Sequence, residues 1–215
     1  MRHLFIFLLF LNCFFFADGP LTTWSQSTGG FPGISYLSML GGAFYHMCLW
    51  LALFSFFLWR KNEAAAQKVY TFLSFLALTM SIAYAMKFGV GRLRPSAWID
   101  GLSPLFIPFS YDNLHLSLPS SHAATAFLVA LFLGRIWPKA RAALWILALI
   151  VALTRVLLLK HFASDVIVGG WIALITPSLY EWSLLKRLQC KIYKMITGKP
   201  FGLPVESSSN SKLKA

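Results

Sequence analysis

Charged side chains are scarce in this chain. They make up 12% of its 215 residues, and hydrophobic side chains make up 58%, against about 25% and about 45–50% in soluble domains. This balance excludes an ordinary water-soluble protein and indicates a chain that lies mostly in a membrane. The length fits one domain, which we place at residues 1–200, and the composition of residues 201–215 is typical of a disordered cytoplasmic tail.

Cysteine is also rare. The three cysteines, Cys13, Cys48 and Cys190, stand in separate segments, without C-x-x-C spacing and without a histidine at the distance of a metal ligand. The sequence therefore predicts neither a disulfide nor a metal site.

Long apolar runs are abundant instead. A membrane-spanning helix needs about 20 mostly apolar residues, and six runs reach or approach that length. They are Leu4 to Ala17, Ile34 to Trp59, Val69 to Met86, Pro119 to Trp137, Ala142 to Leu159 and Val166 to Leu185. The sequence thus predicts an all-α, integral-membrane bundle of about six transmembrane helices.

The first of these runs has a second interpretation. It is short, and the flanking residues Arg2 and Asp18-Gly19 also fit a signal peptide. Pro20, directly after the possible cleavage point, favours a retained helix. Removal of the segment would leave five transmembrane helices.

The positive charges divide unevenly between the two sides of the bundle. Cytoplasmic loops of membrane proteins are rich in lysine and arginine, and 14 of the 19 cationic residues fall on one side. The other side holds Lys87, Arg92, Arg94, Arg155 and Lys160. Topology and contacts with the bilayer therefore explain most of the net charge of +12, and no nucleic-acid partner is implied.

Three polar clusters fall on the outer side. The first runs from Lys87 to Arg94-Pro95, the second is Pro119-Ser120-Ser121-His122, and the third comprises Arg155, His161 and Asp165. Each alone has an ordinary explanation, such as an interfacial lysine, a helix cap or a buried histidine. Together they place cations, two histidines and a carboxylate on a membrane side otherwise poor in cations, which indicates a functional site.

The order and spacing of these clusters resemble the type-2 phosphatidic acid phosphatase (PAP2) superfamily, in its bacterial membrane lipid phosphatase branch. The family pattern is K-x6-R-P, then P-S-G-H, then S-R-x5-H-x3-D, and every spacing agrees here. Two positions depart from it: Ser121 replaces the usual glycine and Thr154 the usual serine. Neither departure removes a titrating group, but the part of Ser121 in binding is open.

The resemblance implies a role for each matching residue. Lys87, Arg94 and Arg155 are expected to hold the phosphoryl oxygens, with donors added near Ser120 and Ser121 at a helix start. His161, oriented by Asp165 four residues later, is expected to attack phosphorus and form a phosphohistidine. His122 is expected to protonate the leaving group and then to activate water. No metal or other cofactor is needed, because the cations replace it.

The expected function is hydrolysis of a phosphorylated membrane lipid at the outer face of a bacterial inner membrane, which is the periplasmic face. Lipid A 1-phosphate, undecaprenyl pyrophosphate and a glycerophospholipid phosphate all remain open as substrates. A lipid phosphotransferase of the same fold is one alternative, and an anion transporter or channel is another. The loop from Asp100 to Leu118 is interpreted as either a lid over the site or an ordinary connection.

Overall fold

The computed structural model describes residues 1–29, 33–181 and 184–202, and its regular structure there is helical. The ten α-helices among these residues are α1 (Arg2–Asn12), α2 (Asp18–Ser27), α3 (Ile34–Met39), α4 (Ala43–Trp59), α5 (Glu63–Val90), α6 (Pro95–Ile99), α7 (Ser121–Ile136), α8 (Arg141–Leu157), α9 (Ala163–Glu181) and α10 (Leu184–Thr197). A π-helical turn, Cys13–Ala17, joins α1 to α2 without a break. The tail predicted at 201–215 lies outside the described residues from 203 onward.

Four helical segments of the described chain are long and apolar enough to cross a membrane. They are His3–Ser27, Glu63–Val90, Pro138–Leu157 and Ala163–Tyr180, and two shorter apolar helices, Ala43–Trp59 and Ser121–Ile136, lie among them. Each of the six predicted runs corresponds to one of these segments. The prediction of an all-α, multi-pass membrane bundle is confirmed.

The second predicted run, Ile34 to Trp59, is not one helix. It breaks at Gly41 and Gly42, between α3 and α4. A Cβ atom at Gly41 would lie 2.7 Å from the backbone oxygen of His122, which is closer than non-bonded atoms pack. The chain therefore needs glycine here, and the break places Gly41 directly against the start of α7.

The third run continues beyond its predicted end at Met86. Helix α5 reaches Val90 and is terminated by Gly91, whose φ of 61° lies in the left-handed region that favours glycine. A Cβ atom at Gly91 would also lie 1.6 Å from the backbone oxygen of Ile107. The loop after α6 consequently packs directly on the end of α5.

The core of the bundle is largely aromatic and aliphatic. The rings of Trp50 and Phe72 are 4.2 Å apart between centroids, and those of Phe72 and Phe132 are 5.0 Å apart, so α4, α5 and α7 meet in one cluster. Thr79 and Thr176 share a buried hydrogen bond of 2.9 Å between α5 and α9. These contacts fix the helices whose ends carry the polar clusters.

Helix α5 shows which polar segments lie at each end of the bundle. Glu63, at the start of α5, forms an ion pair with Lys199, which follows α10. Lys87 lies close to the other end of α5. The basic C-terminal segment and the outer polar clusters are thus at opposite ends of the bundle, as the charge distribution predicts.

Candidate active site

A cavity of about 210 Å³ opens among the ends of the helices that carry the three polar clusters. Its lining combines predicted site residues with residues that the sequence did not single out. The lining residues are Tyr84, Lys87, Arg94, Asn113, Leu116, Ser121, His122, Arg155 and His161. Six of the eight predicted site residues therefore line one cavity. The other two, Ser120 and Asp165, lie behind its lining.

His161 follows α8 and is only 2% exposed. Its Nδ1 lies 2.7 Å from the backbone carbonyl oxygen of Ser117. A carbonyl oxygen can only accept a hydrogen bond, so Nδ1 carries the proton and Nε2 holds the free lone pair. The imidazole is thus set in the tautomer that a nucleophile requires.

Asp165 does not accept this proton directly. Its Oδ2 is 3.8 Å from Nδ1 of His161, beyond hydrogen-bonding distance. A spacing of four residues on a helix favours a direct bond, but the loop carbonyl of Ser117 occupies that position. The carboxylate instead interacts with the imidazole electrostatically, as a fixed negative charge 3.8 Å away.

Burial lowers the pKa of His161 to about 4, although the nearby Asp165 carboxylate acts in the opposite direction. The imidazole is therefore neutral at neutral pH. This protonation state leaves the Nε2 lone pair available for attack on phosphorus.

The Asp165 carboxylate is fully buried and has a donor on each oxygen. Oδ2 accepts from the Ser117 hydroxyl at 2.6 Å and from the Phe162 backbone N–H at 2.9 Å. Oδ1 accepts from Arg92 at 2.6 Å. The bond from Phe162 closes the first turn of α9, because a carboxylate three residues into a helix satisfies the amide that precedes the helix.

Ser117 connects the loop to His161 and Asp165 through all its polar atoms. Its hydroxyl donates to Asp165, its carbonyl accepts from His161, and its amide donates to the carbonyl of Arg92. It is completely buried. This residue fixes the relative positions of the His161 imidazole and the Asp165 carboxylate.

The three cations reach the cavity from different elements. Lys87 donates from Nζ to the backbone oxygen of Leu116 at 2.7 Å. Arg94 donates to the backbone and side-chain oxygens of Asn113 at 2.9 and 3.0 Å, and Arg155 donates to the Ser38 hydroxyl at 2.5 Å. Each cation is oriented by neutral oxygen atoms, so its positive charge stays available to an anion.

The second cluster begins α7. The hydroxyl of Ser120 caps this helix by accepting from the amide of Ala123 at 3.4 Å, and the Ser120 amide donates to the Asp165 carbonyl at 3.0 Å. Ser120 is completely buried, so its amide is not a donor to the cavity. Ser121 and His122 line the cavity at the first helical positions, where amides have no acceptor within the helix.

Several site residues were missed by the sequence analysis. Ser117, Asn113 and Tyr84 belong to none of the three clusters. The folding of the loop, and not helical periodicity, brings Asn113 to the cavity and Ser117 against His161. Arg92, which the sequence analysis counts among the outer cations without a role, is 2% exposed. The acidic residue Asp18, at the edge of an apolar run, was a signal that could have been used.

The model of the PAP2 superfamily matches residues 68–187, a range that contains all eight predicted site residues. The chain belongs to the PAP2 superfamily. The family expected from the three clusters is thereby confirmed.

Two curated relatives of this PAP2 protein carry the same name. The lipid A 1-phosphatase of Rhizobium etli is 34% identical, over 50% of this chain and 53% of the relative. The lipid A 1-phosphatase of Rhizobium johnstonii is 33% identical, over 50% of each chain. The chain thus spans about half the length of these relatives, and no solved structure matches it significantly.

Proposed function

We propose that this PAP2 protein is a membrane lipid phosphatase that works through a phosphohistidine on His161. The observation that carries the proposal is the single cavity in which two histidines meet three cationic side chains. The relatives named lipid A 1-phosphatase favour lipid A 1-phosphate over undecaprenyl pyrophosphate and glycerophospholipid phosphates. The site lies at the end of the bundle opposite the basic segments, which favours a periplasmic site in a bacterial inner membrane.

The cations bind the substrate phosphate first. Lys87, Arg94 and Arg155 neutralise its oxygens, and the two guanidinium groups are able to hold oxygens in pairs. The lipid chains remain among the helices or in the bilayer. This arrangement orients phosphorus towards His161 without any other source of positive charge.

Phosphoryl transfer to the enzyme follows. Nε2 of His161 forms a bond to phosphorus while the bond from phosphorus to the lipid oxygen breaks. His122, which the negative charge of the bound phosphate keeps protonated against the surrounding cations, gives its proton to that oxygen. The positive charge that develops on the imidazole is stabilised by the Ser117 carbonyl at 2.7 Å and the Asp165 carboxylate at 3.8 Å. The dephosphorylated lipid then leaves.

Hydrolysis restores the enzyme. His122, now neutral, takes a proton from water, and the water oxygen bonds to phosphorus as the bond from phosphorus to Nε2 breaks. Inorganic phosphate is released, His122 is again protonated and His161 is again neutral. Protons and charges therefore balance over the cycle.

Phosphate release from a panel of purified lipids, measured in detergent, tests this function. The panel contains lipid A 1-phosphate, undecaprenyl pyrophosphate and phosphatidic acid. We expect release from lipid A 1-phosphate, and its reduction to background in His161→Ala. The matched control is His115→Gln, since His115 lies on the same side of the membrane, beside Asp112, and does not line the cavity.

The outcomes separate the candidate functions. Undiminished phosphate release by His161→Ala would contradict the proposed nucleophile. Transfer of phosphate to a second lipid instead of water would indicate a phosphotransferase. Loss of activity in both variants would show a general effect of histidine replacement and would count against the assignment.

A further inference from the structure

A buried charge cluster lies behind the lining of the cavity. We call it the Asp18 cluster, and it consists of Asp18, Arg92, Ser164 and Asp165. Arg92 donates from Nη2 to the Asp18 carboxylate at 2.8 Å and from Nη1 to the Asp165 carboxylate at 2.6 Å. All four residues are at most 4% exposed.

Asp18 also reaches the start of α9. Its Oδ1 accepts from the Ser164 backbone N–H at 3.0 Å, and its Oδ2 accepts from the Ser164 hydroxyl. Asp18 therefore caps a free amide in the first turn of α9, although it belongs to a different helix. Asp165 lies one residue beyond that amide.

Arg92 is enclosed by aromatic rings as well as by carboxylates. Its guanidinium carbon is 4.2 Å from the centre of the Phe162 ring and 4.9 Å from that of Phe14. Phe14 and Asp18 are four residues apart in one continuous helical segment, so they approach Arg92 from one helix face. The N-terminal segment thus supplies both an anion and a ring face to an arginine that contacts Asp165.

We propose that Asp18 is a positioning residue for the nucleophile: through Arg92 and Ser164 it fixes the Asp165 carboxylate and preserves the negative charge beside His161. The inference deepens the proposed function and rests on it. It gives the N-terminal helix a part in catalysis, although no residue of that helix lines the cavity.

The charge of the cluster explains the need for a second carboxylate. Arg92 alone would neutralise Asp165, and His161 would then face no net negative charge from α9. With Asp18 present, two carboxylates share one guanidinium, and the cluster carries a net charge of −1. A net negative charge stabilises the positive imidazole that forms when Nε2 attacks phosphorus.

The cationic surroundings make this charge important. The groups that act electrostatically on His161 include Lys87 on α5 and Arg155 on α8, both positive, and Asp165 on α9. Two cations thus oppose the developing charge, and one carboxylate favours it. Loss of the Asp18 charge would leave that carboxylate fully compensated by Arg92.

Asp18→Asn tests the proposal, because it keeps the side-chain size and removes the charge. The control is Asp100→Asn, which removes an exposed aspartate from the same side of the membrane. Single-turnover hydrolysis of lipid A 1-phosphate at saturating enzyme gives a first-order rate constant that inactive protein does not dilute. We expect this rate constant to fall on the order of tenfold in Asp18→Asn, as for other groups that orient a histidine.

Two further measurements distinguish positioning from a merely structural role. The KM of Asp18→Asn should stay within about twofold of wild type, since Asp18 does not reach the phosphate, and Asp18→Glu should recover part of the lost rate because it restores the charge. A rate constant for Asp18→Asn equal to that of Asp100→Asn would overturn the proposal. Absence of hydrolysis by the wild type would instead refute the proposed function itself.

Discussion

Hydrolysis should continue at a pH where an exposed histidine would already be protonated. His161 is 2% exposed, and burial lowers its pKa to about 4. At pH 5.5 about 97% of such a side chain is neutral, against about 9% of one with the ordinary value of about 6.5. The supply of nucleophile at this pH is therefore about tenfold larger than for an exposed histidine.

The assay is the pH dependence of kcat/KM, which reports groups of the free enzyme and free substrate. Two substrates whose phosphates have different pKa values should be compared, because an acidic limb that belongs to the substrate will move between them. We expect a limb common to both substrates near pH 4. A common limb near pH 6.5 would refute the assignment of a buried, neutral His161.

The same pKa shift affects the stability of the fold. The unfolded chain binds a proton near pH 6.5, and the native state binds it only near pH 4. The contribution of neutral His161 to the free energy of unfolding is therefore fully present above pH 6.5. It decreases as the pH falls towards 4 and then levels off, with a total loss of about 3 kcal/mol. Thermal unfolding in detergent should show this loss in the wild type and a smaller loss in His161→Gln.

Four further outcomes are expected. Gly41→Ala should lower the free energy of unfolding by about 1–3 kcal/mol and should also lower kcat, because the new Cβ would lie 2.7 Å from the His122 carbonyl oxygen. Thermal unfolding and steady-state kinetics measure these two effects. Unchanged values would contradict the close approach. Ser117→Ala should cost about 1.5–3 kcal/mol, since Asp165 loses a hydroxyl donor at 2.6 Å, and a stability equal to wild type would argue against this bond. Arg94→Lys should raise KM about tenfold, because lysine cannot bind two oxygens in parallel; a KM within twofold of wild type would exclude paired binding. Excess EDTA should leave phosphate release unchanged, and strong inhibition by the chelator would disprove phosphate binding by the cations alone.

The sequence predicted the membrane bundle because apolar length is a local property. Every predicted run became a helical segment, and the errors lie at positions where distant contacts decide. The break at Gly41 depends on the His122 carbonyl, which is far away in the sequence. The end of α5 at Gly91 depends equally on the loop that packs against it.

The candidate site was predictable only where residue type and spacing carry the chemistry. A lysine and two histidines at these spacings are rarely needed together for folding alone, and Lys87, His122 and His161 line one cavity. Ser117 contacts His161, Lys87 and Arg92 through backbone atoms, which almost any residue could supply, and only Asp165 through its hydroxyl. Its importance therefore depends on the path of the loop and cannot be deduced from its identity.

The loop from Asp100 to Leu118 illustrates the same limit. The sequence left it as either a lid or a simple connection. Its backbone is hydrogen-bonded to residues 88–94 through Leu105, Ile107, Phe109, Leu114 and Ser117. The loop thus forms a wall of the site together with the segment that supplies Arg94, and its interpretation as a lid stays a prediction.

The size of the cavity has a consequence for substrate choice. At about 210 Å³ it holds a phosphate group and a little of what is attached, but not the head group and acyl chains of a complex lipid. The parts by which lipid phosphates differ must therefore stay outside. Discrimination then depends on exposed side chains at the opening, such as Tyr84, which lines the cavity and is 58% exposed. Chemistry and recognition are thus carried by separate surfaces, and one could change in evolution while the other is kept.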